Sequence, residues 1–259
     1  MAHITCDFFS DSLEVGTTMT VLLPQATESQ IGVSGGASDA ERSGFPVLYL
    51  LHGLSDDHSA WTRYTSIERY AADRGLAVVM PAVHRSFYAD EAQGHRYWTF
   101  VSEELPRVVE SFFRISPRRE DTFVAGLSMG GYGALKLALS QPERFAAAAS
   151  LSGAVDVRSM ASRPERAEIV RRVFGEDFKP SDDLYQLLAA ADPATLPRLF
   201  IACGTEEERL PEANTRLIEQ ARARGIEVTT DFRPGVHEWG LWDDVIQDVI
   251  AWLPLDAGD

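Results

Sequence analysis

The feature that most constrains what this chain can fold into is Gly126-Leu127-Ser128-Met129-Gly130, set between an apolar run at 122–125 and a helical pattern at 132–139. A serine with glycine two positions to either side, at the passage from strand to helix, fits a sharp turn in which Cβ atoms at those flanking positions would collide with neighbouring backbone. Such a turn directs the hydroxyl outward. The first amides of the following helix then favour negative charge that arrives beside it. The chain must therefore supply a buried strand that feeds the turn and a helix that packs back on the same sheet. Gly131 and Gly133 read as positions where that helix approaches the sheet closely.

The rest of the sequence has the pattern this requires. Short β-branched runs alternate with longer helical patterns, the signal of an α/β class with a mostly parallel central sheet flanked by helices. Strands are expected over 4–9, 17–23, 47–51, 76–80, 122–125, 146–151, 199–203 and 227–232. Helices are expected over 101–113, 132–139, 212–224 and 239–252, and over 69–74 behind a capping box formed by Thr65 and Glu68. Residues 25–44 are rich in Ser, Gly and Ala and read as an exposed, mobile loop. Residues 156–192 are charged and lack a strand pattern, so they read as a small cap-like insertion over the active-site edge of the sheet. With 45% hydrophobic residues in 259, one core and a single domain over 1–259 are expected.

Charge narrows the partners. A formal net charge of -15 repels phosphate backbones and anionic lipid heads, so neither nucleic acid nor a membrane surface is an expected partner. A neutral or cationic small molecule is easier to accommodate. No run approaches the roughly 18 apolar residues of a membrane helix, and the first ten residues lack the basic start and apolar stretch of an export signal, which makes the cytoplasm the expected location. Cys6 and Cys203 are far apart and form no CxxC pair, so they read as buried thiols. No metal and no cofactor are expected.

Serine is a weak nucleophile at neutral pH and needs a base within hydrogen-bond reach, supplied in this class from a loop after the last strand. His237 stands there, after the strand at 227–232 and the turn Arg233-Pro234-Gly235. A carboxylate that orients this base should follow a strand between the two. Glu207, three positions past Gly204, is favoured, Glu208 is the alternative, and Glu206 and Asp156 stand behind them. Two amides are needed for a developing oxyanion: Met129, directly after the serine, and Leu54, in His52-Gly53-Leu54 after the strand at 47–51. His52 shapes that loop; no cluster around it and His58 has metal-ligand character. The loop over 83–100 is dense in aromatic and cationic side chains, which fits a pocket wall or the packing of a long loop. Candidate substrate contacts are His52, Gly53, Trp61, Tyr88, Trp98 and Trp239.

Several motifs combine here: Val47-Leu48-Tyr49-Leu50-Leu51-His52-Gly53-Leu54, Tyr97-Trp98-Thr99-Phe100 with Glu103-Glu104-Leu105-Pro106, the serine segment through Gly133, Glu212-Ala213-Asn214 and Gly235-Val236-His237-Glu238-Trp239. Over nearly the whole chain they resemble the esterase D-like α/β-hydrolases, a group that includes tributyrin-type esterases, feruloyl esterases, S-formylglutathione hydrolases and mycolyltransferases. The resemblance is closest to the small intracellular tributyrin-type carboxylesterases. It implies an α/β-hydrolase fold, short-chain acyl esters as small-molecule substrates, and frequent homo-oligomers. Acyl transfer, or formylglutathione or feruloyl ester hydrolysis, is the alternative on the same fold, and a non-catalytic binding protein on a hydrolase scaffold the alternative of another class. The family usually carries an aspartate shortly after its counterpart of Cys203-Gly204, where this chain has three glutamates and one apparent extra residue. The segment Leu54-Ser55-Asp56-Asp57-His58 also differs from the cysteine-containing one typical of S-formylglutathione hydrolases.

Overall fold

The computed structural model describes residues 1–25 and 44–255. The expected loop at 25–44 therefore falls almost wholly on residues 26–43, outside the described ones. Among the described residues one eight-stranded sheet runs in the order β1-β2-β4-β3-β5-β6-β7-β8. Its strands are β1 Ala2–Ser10, β2 Val15–Leu23, β3 Val47–Leu51, β4 Ala77–Pro81, β5 Thr122–Leu127, β6 Ala147–Leu151, β7 Arg198–Gly204 and β8 Val228–Arg233. The β1–β2 and β2–β4 pairings are antiparallel; β4, β3, β5, β6, β7 and β8 are parallel throughout.

The central strands read as unbroken apolar runs because helices bury both of their faces. Along β3, Val47, Tyr49 and Leu51 join one core and Leu48 and Leu50 the other, the two-residue alternation of a strand sandwiched between layers. One layer holds α3 Tyr97–Thr99, α4 Leu105–Phe112, α5 Met129–Ser140, α7 Pro164–Phe174, α8 Leu184–Ala190 and α9 Leu210–Ala223; the other holds α1 Ala60–Tyr64, α2 Ile67–Ala72 and α10 Trp239–Trp252. A short helix α6, Val157–Met160, precedes α7.

Three local expectations need correction. The Thr65–Glu68 capping box does not form, because the Thr65 hydroxyl donates to the Trp61 carbonyl at the end of α1 and accepts the Ile67 amide, so that α2 begins at Ile67 behind Ser66. The helix expected over 101–113 is interrupted: a π-helical turn over Phe100–Glu104 joins α3 to α4, and Pro106, which has no N–H to donate, sits in the first turn of α4. The serine helix α5 starts at Met129 rather than at 132, so glycines that weaken a helical pattern lie inside the helix. Of these, Gly133 faces the Tyr88 ring, 2.5 Å from where its Cβ would be, and not the sheet.

Residues 156–192 contribute α6, α7 and α8 and no strand. They are tied to α5 by an ion pair between the buried Lys136 and Asp182 at 2.7 Å. Parallel strands place the loops after β3, β5, β6, β7 and β8 on the same edge of the sheet, the edge where open α/β sheets build their sites.

Candidate active site

Ser128 occupies the turn between β5 and α5 with φ 53° and ψ -113°, a left-handed conformation that a non-glycine residue adopts only under constraint. The constraint is crowding. A Cβ on Gly126 would lie 2.4 Å from the Gly130 carbonyl oxygen, and one on Gly130 would lie 2.4 Å from the Leu51 carbonyl oxygen. The Ser128 carbonyl accepts the amides of Tyr132 and Ala154, and its own amide donates to Leu151, so the backbone of the turn is held on both sides.

The Ser128 Oγ lies 3.0 Å from His237 Nε2, and His237 Nδ1 lies 2.7 Å from Glu207 Oε2. The second carboxylate oxygen of Glu207 accepts the Ser152 hydroxyl at 2.5 Å and the Gly204 amide at 2.8 Å. Burial pushes the Glu207 carboxyl up, but the hydrogen bonds from His237, Ser152 and Gly204 outweigh it and hold the group below the ordinary carboxylate range. An ionised carboxylate only accepts, so this network assigns the imidazole proton to Nδ1 and leaves Nε2 open to the serine hydroxyl. Trp242 completes the cluster: its indole N–H donates to the Ser152 Oγ at 3.1 Å, and its ring meets His237 edge-on with centroids 4.8 Å apart.

The loop after β3 runs beside the serine, since a Cβ on Gly53 would lie 3.8 Å from the Ser128 Cβ. Leu54 and Met129 both border the same cavity, of about 1120 Å³, as Ser128 and His237. Met129 is the first residue of α5, and an amide at that position has no carbonyl in its own helix to receive it. His52 anchors the loop from behind. Burial lowers its pKa to about 4, so the ring is neutral; Nε2 accepts the Val83 amide at 3.0 Å and Nδ1 donates to the Gly53 carbonyl at 2.7 Å. The Tyr88 hydroxyl donates to the His52 carbonyl at 2.9 Å.

Of the expected substrate contacts, Gly53 and Trp239 border the cavity and the other four do not. His52 and Tyr88 are buried behind the Leu54 loop. Trp61 is buried with its indole N–H on the Leu51 carbonyl, and Trp98 packs over the Lys136 ammonium in the core. The loop at 83–100 is thus mainly core packing, with Arg85 and Phe87 alone of that span reaching the cavity. Among the alternative acids, Glu208 is exposed beside Arg209, Glu206 is exposed, and Asp156 caps α6 and pairs with Arg216. Ser152 and Trp242 join the site without standing among the residues the sequence singles out. Ser152 carries no local sequence signal, whereas Trp242 stands one helical turn after Trp239 and could have been inferred from that spacing. No group of three or more His, Cys, Asp or Glu suited to a metal occurs among the described residues.

The Esterase family profile matches residues 10–253. An acetyl esterase of Caldicellulosiruptor saccharolyticus is 29% identical, covering 98% of this chain and 98% of its own. Among solved structures, the substrate-bound fluorophosphonate-binding serine hydrolase F of Staphylococcus aureus is 33% identical with a TM-score of 0.87, covering 98% of this chain and 99% of its own. The S-formylglutathione hydrolase FrmB of the same organism is 33% identical with a TM-score of 0.84, covering 98% of each chain.

Proposed function

The chain belongs to the Esterase family, and on that premise we propose that it is a serine carboxylesterase that hydrolyses short-chain acyl esters through an acyl-enzyme on Ser128. The observation that carries this reading is the continuous path from the Ser128 Oγ through the His237 ring to Glu207, at 3.0 and 2.7 Å, opening on a cavity large enough for a small ester.

Ser128 Oγ attacks the ester carbonyl carbon while His237 Nε2 takes its proton, forming a tetrahedral intermediate. The amides of Leu54 and Met129 receive the oxyanion. Collapse expels the alcohol, which leaves with the proton from Nε2. Water then attacks the acyl-enzyme by the same route, with Nε2 again as base, and releases the free acid and Ser128. Glu207 stays ionised throughout, and its charge stabilises the imidazolium formed in each half. Both cysteines are free thiols, which fits a reducing cytoplasm.

A Ser128→Ala variant should lose about 10³-fold or more of its kcat/KM on 4-nitrophenyl acetate and butyrate. It should also lose labelling by a fluorophosphonate. Turnover at the level of the unaltered protein would exclude the nucleophile role.

A further inference from the structure

The protein carries a strong negative charge, yet the cavity around Ser128 is lined by five arginines. Their partners divide them into two groups. Arg216 pairs with Asp156 at 2.7 Å and Glu212 at 3.0 Å, and Arg209 with Glu208 at 3.2 Å. Arg85, Arg163 and Arg166 border the same cavity and have no carboxylate within ion-pair distance among the described residues.

Arg163 and Arg166 are both half-buried on the insertion. They stand at i,i+3 spacing at the start of α7, where like charges face one another and repel. Two adjacent, half-buried guanidinium groups that border the cavity without a carboxylate partner repel each other, and a ligand anion placed between them relieves that repulsion. The other charges at the cavity without an ion-pair partner, Arg85, Asp56 and Glu238, belong to the loop after β4, the loop after β3 and the entry to α10, so the unpaired charges on the insertion side are both cationic.

We propose that the ester cleaved here carries an anionic group, a carboxylate in the first instance, remote from its scissile carbonyl, and that Arg163 and Arg166 receive it. The proposal rests on Ser128 being the nucleophile and adds the chemistry of the substrate's far end. The overall charge of the chain favours neutral or cationic ligands, and the lining as a whole sets six carboxylates beside its five arginines; the unpaired guanidinium groups on the insertion are where an anion is favoured. Guanidinium forks bind carboxylates through paired N–H donors, which gives recognition of planar anions over neutral acyl chains of the same length.

The test uses two matched pairs, one with the anion on the acyl side and one with it on the alcohol side. The first is 4-nitrophenyl butyrate against mono-4-nitrophenyl glutarate; the second is methyl 4-butyryloxybenzoate against 4-butyryloxybenzoate. For each pair the ratio of kcat/KM, anionic over neutral, is measured in the unaltered protein and in the Arg163→Gln/Arg166→Gln double variant. In one pair the ratio should fall about tenfold in the double variant, the scale expected for losing charge-assisted hydrogen bonds. The same ratio should fall in the unaltered protein as salt is raised, which needs no variant to fold. Because the ratio is internal to each protein, a general loss of activity does not affect it. If neither ratio moves by more than about twofold, below the scale of one such bond, the proposal is overturned. If the unaltered protein cleaves none of the four esters, it is the esterase reading that fails.

Discussion

Ser128 and Glu207 reach the same imidazole from loops that main-chain bonds pin on both sides, but the two functional groups are themselves set in different ways. The serine turn is fixed by backbone: a left-handed residue at φ 53°, glycines at 126 and 130 with no room for a Cβ, and main-chain bonds to Leu151, Tyr132 and Ala154. The carboxylate is fixed by side chains and one amide: the Ser152 hydroxyl, the Gly204 N–H and the imidazole itself. A site held by backbone tolerates almost no change at its glycines and survives loss of its functional atom. A site held by side-chain hydrogen bonds keeps its fold when one of them is altered but loses its protonation pattern.

Glu207→Gln should show the largest effect. The Gly204 amide can only donate, so the amide oxygen of the glutamine must turn toward it and the NH2 toward His237 Nδ1. The ring is then forced to carry its proton on Nε2, where it points at the serine hydroxyl and cannot accept from it. A fall of about 10³-fold or more in kcat is expected with the thermal midpoint little changed, as is typical when the wrong tautomer is imposed on a triad. Nitrogen NMR of the ring reads the tautomer directly, and an Nδ1-protonated ring in the variant would contradict the scheme.

On the backbone side the expectation reverses. Gly130→Ala puts a methyl carbon 2.4 Å from the Leu51 carbonyl oxygen, with only main chain on either side to give way. It should cost about 3 kcal/mol or more in unfolding free energy, at or beyond the usual range for overpacking. Urea denaturation measures it, and a stability within about 0.5 kcal/mol of the parent, the ordinary range for harmless substitutions, would break the contrast between the two loops.

The same contrast decides what the sequence reveals. Close backbone approach demands glycine, so the serine turn is legible as a motif; β3 is legible to the residue because burial on both faces leaves an unbroken apolar run. Its place three positions past Gly204 favours Glu207 over Glu206 and Glu208, but what fixes the choice is the hydroxyl 55 positions earlier in the chain that its carboxylate meets, and no local pattern encodes that. Aromatic density at 83–100 is equally silent, since Tyr88 and Trp98 look the same in a sequence whether they face a cavity or a core. Their burial follows from Gly133 and Lys136 on α5, contacts visible only once the helix is docked.

His52 belongs to the backbone-held side, and its titration gives a further test. Its folded pKa is about 4, below the value of about 6.5 expected in the unfolded chain. A depressed histidine stabilises the fold fully above the unfolded pKa, and that contribution falls as pH drops toward the folded one. Between pH 7 and 5 the loss should be about 2 kcal/mol, from roughly 1.5 units at 1.36 kcal/mol each. Urea midpoints at the two pH values, compared with those of His52→Gln, isolate the contribution. Equal pH slopes in the two proteins would show that the ring does not stay neutral in the fold.

The smallest expected effect is at Ser152, and it separates positioning from bulk structure on the carboxylate side. The Trp242 indole can only donate, so the Ser152 Oγ accepts from it and turns its own proton to Glu207 Oε1. Ser152→Ala removes that donor and leaves the carboxylate with Gly204 and His237. The pKa of Glu207 should rise, because one of the bonds that offset its burial is gone. A carboxylate with a depressed folded pKa contributes stability that is lost as pH falls through that value, so the variant should begin to lose stability and activity at a higher pH on the acid side. At neutral pH kcat should fall about tenfold, the scale of one hydrogen bond to a charged group. Ser152→Gly, which also lacks the hydroxyl and is at ease with the φ of 49° there, should shift the acid limb by the same amount and tie the effect to that bond. A uniform loss at every pH would instead mean that the side chain at 152 only fills space beneath the imidazole.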